Sequence, residues 1–200
     1  MRSPTHGLFI LLQLIIGLSI IGCSPMTKIP AALAPKEAIS IPFSVTAISL
    51  LDSRPDTASA EMKLPLISAR QREWIIKPGI TESQKQQAFL QIQNASREDR
   101  LQTHAVLEIL DGYYKVEGNS HSVSEHTHFR CKLHLIDPAT GNTWFAIAET
   151  SYVHQTINAT EKHAKMLYEA TILKCVSVAL QYLAETPPPL CLRAGCRRGV

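Results

Sequence analysis

Glycine is scarce in this chain, 9 residues of 200, and no group of them forms a phosphate-cradling loop, which argues against nucleotide binding. No Gly-x-Ser-x-Gly elbow occurs either. Gly118-Asn119-Ser120-His121 lacks the strand–turn–helix setting in which such a serine becomes a nucleophile. Charge of one sign is also missing. Lys and Arg number 20 against 17 Asp and Glu, for a formal net charge of +3. Arg2 stands near the start and Arg193, Arg197 and Arg198 crowd the end, so the body between them is close to neutral. That balance offers no basic surface to a nucleic acid. Paired carboxylates such as Glu98-Asp99 fall in a polar loop, where they are ordinarily solvated. The tail cysteines, Cys191 and Cys196, lack the further ligands that a zinc site needs. No internal repeat is visible.

The apolar run near the start, Leu8–Ile21, covers fourteen residues, short of the roughly 20 that span a bilayer as a helix. Arg2 precedes it, no acidic residue lies before Cys23, and small Gly22 closes it. A basic start, a short apolar middle and a small residue at the break are the marks of a secretory signal peptide. Ile20-Ile21-Gly22-Cys23 resembles a bacterial lipobox. The resemblance implies cleavage between Gly22 and Cys23, a diacylglycerol on the Cys23 thiol and an acylated new amino terminus. Several acyl chains, at about 0.8 kcal/mol per buried CH₂, anchor a protein stably. Ser24 after the cysteine resembles the pattern sent to the outer membrane, facing the periplasm.

Four cysteines then remain, Cys131, Cys175, Cys191 and Cys196, and an oxidising compartment permits two disulfides among them in any of three pairings. Cys131 and Cys175 both fall on apolar faces, so a strand-to-helix bridge and a pair of free buried thiols are both open readings.

Pro25, Pro30, Pro35 and Pro42 keep the stretch after Cys23 out of regular structure. The expected organisation is a signal peptide over 1–22, a lipidated cysteine and proline-rich tether over 23–42, one globular domain over 43–185 and a flexible tail over 186–200. Within the domain, residues 43–51 are rich in β-branched side chains and end at the turn Asp52-Ser53-Arg54-Pro55, which predicts a strand. A short strand is expected near Trp74-Ile75-Ile76. Thr81 and Gln84 have capping-box spacing for a helix to about Ala95. Residues 104–118 read as a strand with a bulge or bend at Gly112. From 126 to 136 the chain alternates strictly, placing Thr127, Phe129, Cys131, Leu133 and Leu135 on one face. His126, His128, Arg130, Lys132 and His134 take the other, which predicts one buried and one wet face. A turn over 137–142 returns the chain antiparallel over 143–156. Asn158 with Glu161 resembles a helix cap, and the helix should run to about Ala184 with a stripe at 164, 168, 171, 175, 178 and 182, widened by Val176, Ala179 and Leu183. The fold class is therefore α+β: an antiparallel meander covered by a long C-terminal helix, with one further helix and N-terminal strands.

The histidines are the candidate metal ligands. Alternate positions on a strand lie about 7 Å apart on one side, so His126, His128 and His134, with His121 nearby, could share an ion. Arg130 and Lys132 on the same face would repel it, and Glu125 at the edge is the only carboxylate of that strand within reach. A solvated face is the expectation, with no metal or other cofactor.

The alternating strand, the turn Asp137…Thr140-Gly141…Trp144, the returning strand and the closing helix resemble small envelope lipoproteins. These include the curli-secretion-channel lipoprotein and the penicillin-binding-protein activators. Val45 to Pro55 is similar to the first strand of related lipoproteins. That resemblance implies binding and assembly, and carries no catalytic residues. The expected function is a non-enzymatic outer-membrane lipoprotein that binds an envelope protein or a second copy of itself, through exposed strand surface and the 54–72 loop. An accessory lipoprotein of lipid export, which would show an apolar groove, is one alternative. A metal-dependent or hydrolytic enzyme using the His126–His134 face is the other.

Overall fold

The structure, a computed structural model, describes residues 29–34, 38–55, 62–64, 73–98, 100–118, 122–156 and 159–185. Seven elements follow in order: β1 (Phe43–Asp52), β2 (Glu73–Ile76), α1 (Glu82–Ala95), β3 (Leu101–Gly118), β4 (Val123–Ile136), β5 (Thr143–Thr156) and α2 (Glu161–Glu185). They make an α+β fold with a five-stranded mixed sheet. The spatial order is β1-β3-β4-β5, and β2 pairs with the far half of β3. β3, β4 and β5 form the antiparallel meander. β1 joins it parallel to β3, with Phe43 opposite Leu101 and Asp52 opposite Ile109.

Side-chain alternation sets the two faces of this sheet, and one irregularity corrects it. Along β3, Thr103, Ala105, Leu107 and Ile109 are buried, then Gly112, Tyr114 and Val116. The parity switches because Leu110 is an extra residue: Ile109 faces Cys131 while Asp111 already faces Arg130. A bulge of this kind moves the following side chains to the opposite face. It lies two residues before Gly112, the position expected from sequence. Gly112 has a different task. A Cβ there would stand 2.7 Å from Tyr168 Oη and 2.9 Å from Phe129 Cδ2. Only glycine lets the strand pass beneath α2.

Local chemistry fixes the connections. Thr81 and Gln84 form the expected reciprocal capping box at the start of α1. Between β4 and β5, Asp137 accepts from the Ala139 amide at 2.8 Å and from the Thr140 hydroxyl at 2.6 Å. The Thr140 hydroxyl, then the Ala139 amide, hold its carboxyl below the usual range. Gly141 completes the turn at φ 75°, a conformation that favours glycine. At α2 the cap is Thr160, whose hydroxyl accepts the His163 amide at 3.2 Å. The helix starts at Glu161, so its third amide reaches residue 160 and not Asn158, which lies outside the described residues.

Both helices pack on one face. β4 contributes Phe129, Cys131, Leu133 and Leu135 to the core, all fully buried, and burial of each large apolar side chain stabilises by about 1.5–3 kcal/mol. Phe129 meets Tyr168 of α2 edge to face. The expected stripe on α2 needs correction at its end. Val178 is half-buried and Tyr182 exposed, while Val176, Ala179, Leu180 and Leu183 are buried. The helix turns this broader apolar surface toward both the sheet and α1. Thr171, the polar member of the stripe, donates to the Leu167 carbonyl at 2.8 Å and meets the Thr127 hydroxyl of β4 at 2.7 Å.

Packing begins before Phe43. Residues 30–34 form a turn, and Leu33 is buried against Leu167 and Ala170 of α2. Ile41 is fully buried and its amide donates to the Ala95 carbonyl. The described part of the stretch expected to be a tether therefore lies on the domain. Among the described residues, no helix is long and apolar enough to cross a membrane.

Candidate functional site

The uncovered face of the sheet carries the three histidines expected to be the candidate ligands. They do not converge. His134 Nε2 lies 2.9 Å from Glu108 Oε2, His128 Nε2 lies 3.5 Å from Asp111 Oδ2, and His126 Nε2 lies 3.5 Å from Glu117 Oε2. His128 also meets Ser151 Oγ at 2.9 Å and stacks on Tyr113. The carboxylates come from β3, so a search along β4 alone finds none. Cross-strand register supplies each histidine with its own carboxylate neighbour. Glu108 is held below the usual carboxylate range by the His134 hydrogen bond, then by the Ser53 hydroxyl.

Among the described residues, β5 borders this face as an edge strand. Its outward residues Phe145, Ile147 and Val153 are 56%, 42% and 51% exposed. Lys132 lies over the Phe145 ring at 4.4 Å. An edge presents a row of unpaired backbone donors and acceptors, and large apolar side chains beside it favour association.

The covered face holds fewer polar groups, and several of them are engaged across elements. Arg54, at the end of β1, donates to Asp52 at 2.6 Å, the Pro78 carbonyl at 3.0 Å, and the Gly112 carbonyl and Tyr168 hydroxyl at 3.3 Å. Its hydrogen bond holds the Asp52 carboxyl low. Burial pushes the Tyr168 hydroxyl up to about 12. Of the described residues of the 54–72 loop, Arg54 and Met62 are buried, Leu64 is half-buried, and Pro55 and Lys63 are exposed.

Cys131 and Cys175 approach from β4 and α2 to an Sγ–Sγ distance of 3.2 Å and are free, buried thiols. Their contact, then burial, pushes the Cys131 thiol well up. Cys23, Gly22, Cys191, Cys196 and His121 lie outside the described residues.

At one end of the covered layer, sequence reasoning missed a cluster. Glu125 belongs to the buried parity of β4, with Val123 and Thr127, and not to the histidine face. It is fully buried. Tyr114 donates to its Oε1, and its Oε2 lies 2.8 Å from His163 Nδ1. The His154 ring of β5 stands 4.9 Å from the His163 ring and stacks on Tyr152. One ligand-type atom from each of Glu125, His154 and His163 lies within 4.8 Å of the others. Burial, then the Glu125 carboxylate, raises the Tyr114 hydroxyl far above its ordinary value, which keeps it a donor.

Between α1 and α2 runs a groove of about 470 Å³, lined mainly by apolar side chains that include Ile39, Leu90, Leu173 and Leu180. Gln91 and Ser177 hydrogen-bond within it, and among the described residues Gln91 Oε1 has no donor.

Comparison with protein-family models finds no match, and comparison with curated proteins finds none. Among solved structures, one described as a neuraminyllactose-binding hemagglutinin homolog from Helicobacter pylori is similar over 76% of this chain and 92% of that one. The sequence identity is 11% and the TM-score 0.32, too loose a likeness to carry an argument.

Proposed function

We propose that this is a non-enzymatic lipoprotein of the outer membrane, anchored through Cys23, whose periplasm-facing domain binds a protein partner in envelope assembly, secretion or transport. The lipobox-like Ile20–Cys23 stretch supports the anchor. The observation that carries the binding reading is the β5 border: a fourteen-residue edge strand with Phe145, Ile147 and Val153 exposed. A partner can add a strand there, drawing affinity from main-chain hydrogen bonds and specificity from the exposed side chains. The histidine face supports the non-enzymatic reading, since its imidazoles are separately paired.

The test has two steps. Intact mass and membrane fractionation of wild type and Cys23→Ala, in a Gram-negative host, should show an acylated, membrane-retained wild type and a soluble variant. An unacylated, soluble wild type overturns the anchor. Photocrosslinking from position 147 should then capture an envelope protein or a second copy, and Phe145→Asp should abolish it. Capture that ignores Phe145→Asp overturns the docking strand.

The lipid-export alternative has the α1–α2 groove in its favour. Organic extraction of the purified protein would recover lipid in that case, and Leu173→Gln would reduce the yield.

A further inference from the structure

A fully buried carboxylate facing two imidazoles from different elements is an arrangement to be explained. Glu125 stands near the start of β4, His154 near the end of β5 and His163 in the first turn of α2. Hydrogen bonding accounts for only part of it. Glu125 has both oxygens engaged, by Tyr114 and by His163. Among the described residues, nothing hydrogen-bonds the His154 ring, although it lies against His163. A single ion would engage both rings together with the carboxylate, since one ligand-type atom of each lies within 4.8 Å of the others.

We propose that Glu125, His154 and His163 bind one divalent transition-metal ion of the zinc class, leaving a fourth coordination position free. Two imidazole nitrogens and one carboxylate oxygen are the donor set that such ions take in open tetrahedral sites. The helix N-terminus opposes a cation, and the single carboxylate offsets that. Binding exchanges the 2.8 Å Glu125–His163 hydrogen bond for two bonds to the ion, the His163 ring proton moving to its other nitrogen. The ligand atoms then need to settle at roughly 2.0–2.2 Å from the metal, within reach of small ring rotations at the half-buried histidines. Tyr114 takes the outer position, its hydroxyl orienting the carboxylate through the oxygen that does not face His163. The ion would fasten the end of β5 to α2 and β4. This site does not involve the lipid anchor, and it lies on the opposite face of β5 from the exposed Phe145, Ile147 and Val153.

The test uses the tag-free mature chain and a chromophoric chelator in competition for Zn²⁺, with Co²⁺ as a spectroscopic substitute. One Zn²⁺ per chain is expected, with visible Co²⁺ absorption of tetrahedral intensity. Tyr114→Phe should lower zinc affinity on the order of 10–100-fold, as loss of an outer partner does elsewhere. His154→Ala should lower it further. The His154 side chain is half-buried and forms no hydrogen bond among the described residues, so this variant should keep the wild-type far-ultraviolet circular dichroism. Glu125→Gln is the second variant, read by the same competition. His126→Ala with His128→Ala should leave affinity unchanged. Absence of zinc binding at equimolar metal overturns the proposal. So does binding that His154→Ala leaves intact, and so does a Co²⁺–thiolate charge-transfer band, which would place the metal on Cys131 and Cys175.

Discussion

The two faces of the sheet use the same few residue types and reach opposite results. On the open face His126, His128 and His134 each sit against a separate carboxylate of β3, half in water. On the covered face His154 and His163 crowd a single carboxylate, Glu125, from which water is excluded. An exposed pair of this kind contributes about 0–1 kcal/mol. A buried polar group depends wholly on its partners, because losing one leaves the other uncompensated in a poor dielectric. The difference is one of position. Parity along a strand decides whether a histidine is decoration or part of a network.

The largest expected break in that contrast is Arg54→Met. It removes a charge that ties Asp52, two carbonyls and Tyr168 together beneath α2. Breaking a buried pair from one side costs about 3–5 kcal/mol, and partial exposure of Asp52 puts the expectation at the lower end. Urea denaturation measures it, and a loss below 1 kcal/mol would mean the network is not holding. Gly112→Ala should come next, at about 1–3 kcal/mol, because the new methyl meets Tyr168 and Phe129 inside contact distance. Near-wild-type stability would show that α2 can lift off β3 freely.

Thr127→Val and Thr171→Val test the covered face more finely. Thr171→Val should cost about 1–2 kcal/mol by stranding the Thr127 hydroxyl, Thr127→Val less because Thr171 still donates to the Leu167 carbonyl, and the double variant less than the sum. A strictly additive double-mutant cycle would sever the pair. The smallest effects belong to the open face, where His128→Ala or His134→Ala should cost under about 1 kcal/mol. His134 leaves a pH signature all the same. Glu108 has a folded value depressed by His134, so its contribution is present above the ordinary carboxylate range near about 4.3 and is lost as pH falls through the folded value. Acid titration of stability should be shallower in His134→Ala. An unchanged slope would detach Glu108 from His134.

Much of this architecture can be read in the chain. Strict alternation over 126–136 predicts β4 and both its faces, the Thr81–Gln84 spacing predicts the start of α1, and Asp137 through Gly141 predicts the turn. These signals are local, and local physics is what a sequence states directly. Pairing is not local. Nothing within Phe43–Asp52 says that its neighbour is β3 or that the two run parallel. The histidine partners were missed for the same reason, since Glu108, Asp111 and Glu117 are brought across by register. Glu125 is the instructive error. Its parity with Thr127 and Phe129 places a carboxylate on the buried face, and such a group demands partners. Counting parity through to Val123 would have prompted a search for them at the end of β5 and the start of α2.

The parallel seam between β1 and β3 also bears on the order of assembly. Residues that face each other there are separated by the whole of β2 and α1, whereas β3, β4 and β5 are joined by short reversals and α2 follows directly. Closing a long loop costs chain entropy before any contact repays it. The C-terminal half should therefore condense first into a three-stranded platform roofed by α2, with β1 docking onto its waiting edge afterwards. Pulse-labelling hydrogen exchange during refolding should find the amides of β4 protected before those of β1. A chain that emerges from its N-terminus must then carry Phe43–Asp52 unpaired until its partner arrives, a nascent strand that meets its seat last.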